Sequence, residues 1–432
     1  MNLTLKDLGL MPLRNAGPLK ICLLSYRSNP HSGGQGVYIK NLSRALKSLG
    51  HHVDVVSGPP ALVLDNDINV FRLPCLDLYN PEDLFRMPTL KELVDPINFV
   101  EWAGVSTMGF SEPFTFGLRA YRFLKGKFSN YHIIHDNQCL SYGLWAIMKH
   151  VPTIATIHHP ITRDRKLAIK SAWEPWKKLK LARWYSFVGM QKRVSLKLSH
   201  IITVSESAKR DICEDFGLAR NRIKVVPNGI RTDLFYPING IEKDKTRLIV
   251  TNSADVPLKG LNYLIRAVAI VSRTNKIRLT VIGALNKNGK IDKLIRELGI
   301  GDLISFTGRI DDNEFLHQYA KSYIAVVPSI YEGFGLPAGE AMSCGLPVIS
   351  TTGGALPEVV GDAGILVPPA DSAALARAIK DLLDNPEKAE RLGYEGHRRV
   401  KRFFTWERAA QNTVEAYMET IVDYHKLRQA GY

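Results

Sequence analysis

Cysteine is scarce in this sequence and is not grouped. Cys22, Cys75, Cys139, Cys213 and Cys344 are scattered, with no CxxC and no His-Cys cluster. That spacing excludes a disulfide framework and a structural zinc site, and a reducing compartment is the simpler setting. Long apolar runs are missing as well. Nothing approaches the roughly eighteen residues that a membrane span requires, and residues 1–20 hold no continuous apolar core of signal-peptide length. There is no internal repeat and no low-complexity segment. A cytoplasmic protein is expected. Acidic side chains are the minority: 57 Lys and Arg stand against 42 Asp and Glu, a net charge of +15. Such a balance suits an anionic partner (phosphate, nucleic acid or an acidic membrane) without choosing among them.

At 432 residues the chain exceeds the size at which one hydrophobic core stops growing, so two domains are expected. Hydrophobic residues at 45% and charged residues at 23% exclude wholesale disorder. Residues 1–18 read as an extension. Residues 19–25 (LKICLLS) have the pattern of a short buried strand, and a glycine loop follows, Ser32-Gly33-Gly34-Gln35-Gly36. Leu42, Ala45, Leu46 and Leu49 then share one helix face, with Gly50 as its stop. Residues 51–57 read as the next strand. Strand, glycine loop, helix, strand is how a parallel α/β sheet begins. Further strands are expected at 131–135, 153–157, 200–204 and 223–226, with 71–126 irregular and rich in aromatics. The polar stretch 235–245, with Pro237 and Gly240, is placed as the domain linker. The alternation then restarts, with strands at 247–251, 277–283, 325–328 and 347–350 and helices at 261–272, 373–383 and 407–427. The fold class is α/β, two doubly wound domains facing a central cleft, with ligands at the carboxyl ends of the strands.

Residues 326–344 (VVPSIYEGFGLPAGEAMSC) carry the chemistry. A strand ends at Pro328, a loop follows, and Pro337 stands where a helix begins, a position that needs no N–H. Gly345 and Pro347 stop that helix. The N–H groups near Gly335 and Leu336 point out of a helix N-terminus, an anion site that the helix dipole reinforces. Gly333 and Gly335 admit a ligand close to the backbone. Glu332, ahead of the helix, is placed to accept from sugar hydroxyls, and Glu340, one turn inside, from a ribose. Two glutamates at this spacing are common by chance, and a helix start with incidental acids is the plain alternative. The intervening GFGLPAG is what favours a site.

This segment resembles the Glu-X7-Glu signature of the retaining GT-B glycosyltransferases of family 4 (glycosyl transferases group 1). Both glutamates, the glycines and Pro337 are in place, and the resemblance extends over about residues 19–425. It implies two Rossmann-like domains: an acceptor-side domain over 19–235 and a nucleotide-sugar-binding domain over 236–405. A last helix, 406–432, crosses back to the first. The loop at Gly34 is similar to the glycine loop that faces the donor diphosphate, and Lys259-Gly260 resembles the pair whose lysine grips it. Gly283 and Gly308 look like the strand ends bordering base and ribose. Thr352-Gly353-Gly354 matches the loop beyond the signature helix, with N–H groups for the phosphate. His158 resembles the histidine near the sugar's reacting carbon and the acceptor, with His159 the competing ring, and Asp136 and Asn137 are further candidates. Each of these alone has a structural reading: a tight turn, a strand stop, a surface lysine.

Two positions depart from the family. Ser253 stands where an arginine usually holds the donor phosphates, and serine makes no charged bidentate contact. Arg231 replaces the aspartate after the Asn-Gly turn. The resemblance implies a hexosyltransferase that moves a sugar from a nucleotide-diphosphate sugar co-substrate to a hydroxyl acceptor: a sugar, a glycan or a lipid-linked group. It implies retention at the anomeric carbon and no metal or other cofactor. Asp65-Asn66-Asp67 lies in a loop and reads as solvated. Catalytic roles fall to His158, Glu332 and Lys259, and donor binding to Gly34, Ser253, Gly283, Gly308, Phe334, Gly335, Leu336 and Glu340. A phosphorylase or epimerase on the same fold and a non-catalytic nucleotide-sugar-binding protein stay open.

Residues 163–199 hold eleven Lys or Arg against Asp164 and Glu174, interleaved with Trp173, Trp176, Trp184, Tyr185 and Phe187. Two readings stand. One is an interface helix on anionic lipid, placing the protein peripherally on the inner face of the cell membrane. The other is a basic solvated face with its tryptophans in the core. No nucleic-acid-binding module is visible, and nucleic acid is not an expected partner.

Overall fold

The computed structural model describes residues 17–430 apart from 28–33, 61, 63, 81–82, 84–85, 160 and 253–255, and leaves out the side chains of 163–164, 167–168 and 171. Ser253, Gly33 and most of the expected N-terminal extension thus lie outside the described residues. One unit comprises the chain up to Val204, Lys209–Val226 and the chain from Ala409; the other comprises Ser205–Ala208 and Pro227–Arg408. The turn at Pro227-Asn228-Gly229, ahead of the 235/236 break expected from sequence, packs within the second unit. A Cβ on Gly229 would lie 2.4 Å from the Trp406 backbone nitrogen, and Ile230 bridges Thr405.

The first unit opens with β1 (Lys20–Ser25), buried from its second residue on. A continuous apolar run suits a strand covered on both faces. α1 (Gly34–Ser48) buries Leu42, Ala45 and Leu46 and stops before Gly50 at φ 88°, a left-handed conformation that glycine adopts without a Cβ clash. β2 (His52–Ser57) and β3 (Asn69–Arg72) follow. The Asp65–Asp67 loop is exposed at Asn66 and Asp67, and its acids also pair with α1: Asp65 accepts from Arg44 at 2.7 Å and Asp67 lies 3.2 Å from Lys47.

The stretch 71–126, expected to be irregular, holds no helix or strand among the described residues of 73–89, but from residue 90 on it is largely helical: α2 (Leu90–Leu93), α3 (Pro96–Ser106) and α4 (Glu112–Leu124). α3 buries only Ile97 and Glu101, so apolar periodicity gives no signal there. α4 buries Phe116, Ala120 and Leu124 at helical spacing, with Glu112 and Arg119 buried among them. Arg119 pairs with Glu101, and Arg27 reaches Glu112 at 2.6 Å.

The unit continues with β4 (Ile133–Asn137), α5 (Tyr142–Ile147), β5 (Thr153–Ile157), α6 (Thr162–Ser171), α7 (Pro175–Trp184), α8 (Phe187–Ser195), β6 (Ile201–Thr203), α9 (Glu206–Phe216) and β7 (Ile223–Val225). The seven strands are all parallel, in the order β3-β2-β1-β4-β5-β6-β7. The order reverses between β1 and β4, the switch point beyond whose carboxyl ends ligands bind in open parallel sheets.

The second unit repeats the plan with β8 (Arg247–Thr251), α10 (Leu261–Val271), β9 (Arg278–Ile282), α11 (Lys290–Leu298), β10 (Ile304–Phe306), α12 (Asp312–Ala320), β11 (Ile324–Val327), α13 (Leu336–Ser343), β12 (Val348–Thr351), α14 (Leu356–Val360), β13 (Ile365–Val367), α15 (Ser372–Asp384) and α16 (Pro386–Phe403). Its six parallel strands run β10-β9-β8-β11-β12-β13, with the switch point between β8 and β11. Each sheet has its own apolar core. The last helix, α17 (Trp406–Gln429), belongs to the first unit from Ala409 on, where Tyr417 Oη lies 2.6 Å from His135 Nδ1.

Candidate active site

The switch point of the second unit gathers most of the donor-site residues named from sequence. Lys259 lies in the β8–α10 connection. The next residue, Gly260, has φ 66°, and a Cβ there would stand 2.0 Å from the Pro328 carbonyl oxygen. Only glycine lets this connection press onto the end of β11. The Ile330 N–H then donates to the Leu258 carbonyl at 2.8 Å, which brings Lys259 beside the β11–α13 connection. Lys259 Nζ sits 2.6 Å from Glu332 Oε1, and Ser329 Oγ donates to the same oxygen at 2.8 Å. Lys259 is 37% exposed and Glu332 13%, so the cation remains reachable by a ligand.

Gly335 caps α13 at φ 103° and Pro337 occupies the first turn. The Gly335 and Leu336 N–H groups stand at the helix start, where a backbone N–H has no intrahelical acceptor. The Phe334 side chain turns inward, edge-on to Phe404 at 5.8 Å, so this residue offers a ligand its backbone rather than its ring. The loop 352–354 supports Glu332. A Cβ on Gly354 (φ 65°) would lie 2.2 Å from the Glu332 carbonyl oxygen, and the Ala355 N–H donates to that oxygen at 2.9 Å. The Gly353 N–H, expected to serve a phosphate, is taken by Thr351 Oγ1 at 3.1 Å.

Burial pushes the Glu340 carboxyl up to about 7; the Asp312 carboxylate adds to the rise, and Arg231 and Lys259 oppose it. Arg231 is held by Asp312 at 3.2 Å and Asp233 at 3.3 Å. The residue that departs from the family thus supplies positive charge close to the second glutamate. Gly283 and Gly308 are joined to each other, the Gly308 N–H donating to the Gly283 carbonyl at 3.0 Å. They connect to the switch point through Asn252, whose N–H donates to Ile282 at 3.0 Å and whose Nδ2 donates to the Lys259 carbonyl at 3.1 Å. Asn252 Oδ1 is buried and finds no donor among the described residues.

The remaining sequence-named residues form a second cluster at the switch point of the first unit. Gly34 begins α1, with open space where a Cβ would stand. Asn137 Nδ2 donates to the Gln35 carbonyl at 3.3 Å, leaving Oδ1 to face His158 Nε2 at 2.8 Å. That orientation puts the imidazole proton on Nε2 and the lone pair on Nδ1. The His158 ring meets Tyr38 edge-on at 4.7 Å. Burial, with His159 and His135 adding, lowers His158 to about 3, so the ring is neutral near pH 7. Gln138 clamps the strand end: its Oε1 accepts from the His158 N–H at 2.7 Å and its Nε2 donates to the His159 carbonyl at 3.0 Å. Gln138 itself has φ 58°, a strained conformation for a residue with a Cβ. Asp136 is buried, accepts from the Leu140 N–H at 2.9 Å, and is raised to about 7 by burial; it shapes this turn. Tyr38, Gln138, Asn252 and Ser329 were given no role from sequence. Only Ser329 carried a signal, lying three residues before Glu332.

The fold is that of the GT-B glycosyltransferases. Sucrose-phosphate synthase from Thermosynechococcus elongatus superposes with a TM-score of 0.71 at 24% identity, over 94% of this chain and all of that one. Anabaena HepE in complex with UDP-glucose does so at 0.63 and 16% identity, over 93% of this chain and all of that one. The model for "Glycosyltransferase Family 4" matches residues 32–234 and that for "Glycosyl transferases group 1" matches residues 237–399. The MMP alpha-(1->4)-mannosyltransferase of Mycolicibacterium hassiacum is 44% identical over 409 residues, 93% of this chain and 98% of that protein. The chain belongs to the group 1, family 4 glycosyltransferases. No helix among the described residues is long and apolar enough to cross a membrane.

Proposed function

We propose that this glycosyltransferase is a retaining hexosyltransferase, moving mannose from a nucleoside-diphosphate donor to a hydroxyl of a sugar or glycan acceptor and using no metal. The observation that carries the reading is the Lys259–Glu332 pair at 2.6 Å beside the start of α13. A cation, two outward N–H groups and a carboxylate at one switch point are what a diphosphate joined to a sugar needs. The leaving diphosphate gains negative charge in the transition state, and Lys259 with the Gly335 and Leu336 N–H groups stabilises it; fixed charges and dipoles of this kind are often the largest catalytic contribution. Glu332 holds sugar hydroxyls, Glu340 the ribose, and Gly283 and Gly308 border the base. In the first unit, neutral His158 accepts a hydroxyl proton in a hydrogen bond through Nδ1.

Mannose is favoured by the 44% identity to a mannosyltransferase. A nucleotide donor is favoured by the UDP-glucose complex of a protein of the same fold. The α linkage in the relative's name is what retention yields from an α-linked donor. The acceptor hydroxyl attacks from the face that the diphosphate leaves, and its proton departs with the diphosphate. Incubation with a panel of nucleotide sugars and oligomannoside acceptors tests the reading. Acceptor-dependent release of nucleoside diphosphate, with an α anomeric signal in the product by NMR, is expected. Donor binding without release would instead favour the non-catalytic reading that Ser253 in the arginine's place keeps open.

A further inference from the structure

We propose that α6 and α7 form a docking surface for an anionic phospholipid bilayer, an interaction separate from the transfer reaction. Trp173 is 94% exposed, Trp176 59% and Leu179 73%, and α7 buries none of its residues. Trp176 and Leu179 stand three apart and so share a helix face. A single exposed apolar side chain needs no explanation; three large ones within seven residues do. The other tryptophan of the segment behaves differently. Trp184 stacks on Phe110, with centroids 5.1 Å apart and planes at 28°, and meets Tyr79 edge-on at 5.4 Å. Arg183 adds a 2.9 Å hydrogen bond to Thr107. The end of α7 is therefore fastened to the unit, while Trp176 in its first turn and Trp173 in the link before it stand in solvent.

The charge lies beside them. An open groove of about 470 Å³ is lined by Thr162, Arg165, Lys166, Ile169, Lys170 and Lys178. Lys166 is tied to Asp215 at 2.7 Å. Arg165, Lys170 and Lys178 have no carboxylate partner among the described residues. The two sets interlock: Lys177 Nζ is 5.4 Å from the Trp176 ring centroid, and Lys178, the next residue, lines the groove. A soluble polyanion would occupy the cations and leave the tryptophans idle. An apolar protein partner would cover the tryptophans and leave the cations unpaired. A bilayer with anionic headgroups takes both, because indole rings settle at headgroup depth while lysines reach lipid phosphates.

Sedimentation of the full chain with vesicles, in the absence of any nucleotide sugar, tests this independently of the transferase reading. The protein should pellet with vesicles of equal parts phosphatidylcholine and phosphatidylglycerol and not with phosphatidylcholine alone, and high salt should release it. Lys170→Glu with Lys178→Glu should weaken binding by roughly tenfold or more. Trp173→Ser with Trp176→Ser should weaken it comparably and abolish a blue shift in tryptophan emission, and both variants should keep wild-type transfer to a soluble acceptor. Failure of the wild type to pellet with the anionic vesicles overturns the proposal. So does undiminished vesicle binding by the tryptophan variant, which would mark the groove as a site for soluble polyanions.

Discussion

Lys259 and Glu332 meet at 2.6 Å across the switch point of the second unit, a cation from one connection set against a carboxylate from the next. Under the proposed function, a bound diphosphate would compete with Glu332 for the lysine. Lys259→Ala is expected to weaken donor binding and to cut kcat/KM by roughly 10²–10³. Glu332→Ala is expected to cut kcat by a similar factor with a smaller effect on donor affinity, since it removes the sugar contact and leaves the cation free. Steady-state release of nucleoside diphosphate, with calorimetric donor titration, separates the two. Wild-type rates in both variants would remove the site assignment.

Glycine at 354 holds Glu332 in place. Gly354→Ala forces a Cβ to 2.2 Å from the Glu332 carbonyl oxygen at φ 65°, so the loop or Glu332 must move. Gly50→Ala meets the same backbone penalty (φ 88°) in open space and should cost only about 1–2 kcal/mol. Gly354→Ala should lower thermal stability further and also lose transfer, whereas Gly50→Ala should keep it. Equal melting temperatures and equal activities in the two variants would contradict the support role.

Glu340 titrates at about 7 when folded against an ordinary value of 4.5. Between those values the folded chain holds the extra proton, so this group's contribution to stability falls as pH rises through that window and levels off above it. Glu340→Gln removes the effect. The variant should gain on the wild type between pH 5 and pH 8, by at most about 3 kcal/mol, as read by denaturant unfolding at each pH. Asp136, also raised to about 7, is present in both proteins and cancels. A stability difference that does not change with pH would show that Glu340 is not held protonated.

His158 is neutral down to about pH 3. Its replacement by alanine should lower kcat roughly tenfold, and the wild-type rate should show no histidine inflection between pH 5 and 8. Asn137→Asp sets a carboxylate against Nε2–H and favours the imidazolium. That variant should acquire an acid limb in its pH–rate profile, which His158→Ala on the same background should erase. A histidine limb already present in the wild type would rule out the neutral ring.

Strands such as β5 and β8 were legible because a parallel sheet covered on both faces leaves plain apolar runs. The α13 start was legible because glycine and proline mark it in the sequence itself. α3 was not, since it buries Glu101 in an ion pair that only the folded chain brings together; α4 was missed although Phe116, Ala120 and Leu124 repeat at helical spacing, with the buried charges of Glu112 and Arg119 interrupting that stripe. The same limit applies to the site. Glu332 and Lys259 could each be named from their motifs, but their contact depends on Gly260 pressing against Pro328. Gln138 carried no signal, because nothing in a glutamine announces a left-handed backbone. Of the tryptophans, Trp184 is half-buried against Phe110 while Trp173 and Trp176 stand exposed, since rings of one composition are sorted by where the helix is anchored.

The return of α17 to the first unit has a consequence for synthesis. During translation residues 227–408 emerge and can close their own sheet while the first unit still lacks its final helix. Until Tyr417 arrives, His135 Nδ1 lacks its partner at 2.6 Å, and Lys224 has yet to meet Glu419 at 2.9 Å. The half of the protein that is made first is therefore finished last, and splitting the gene at residue 227 would strand one half's closing piece on the other.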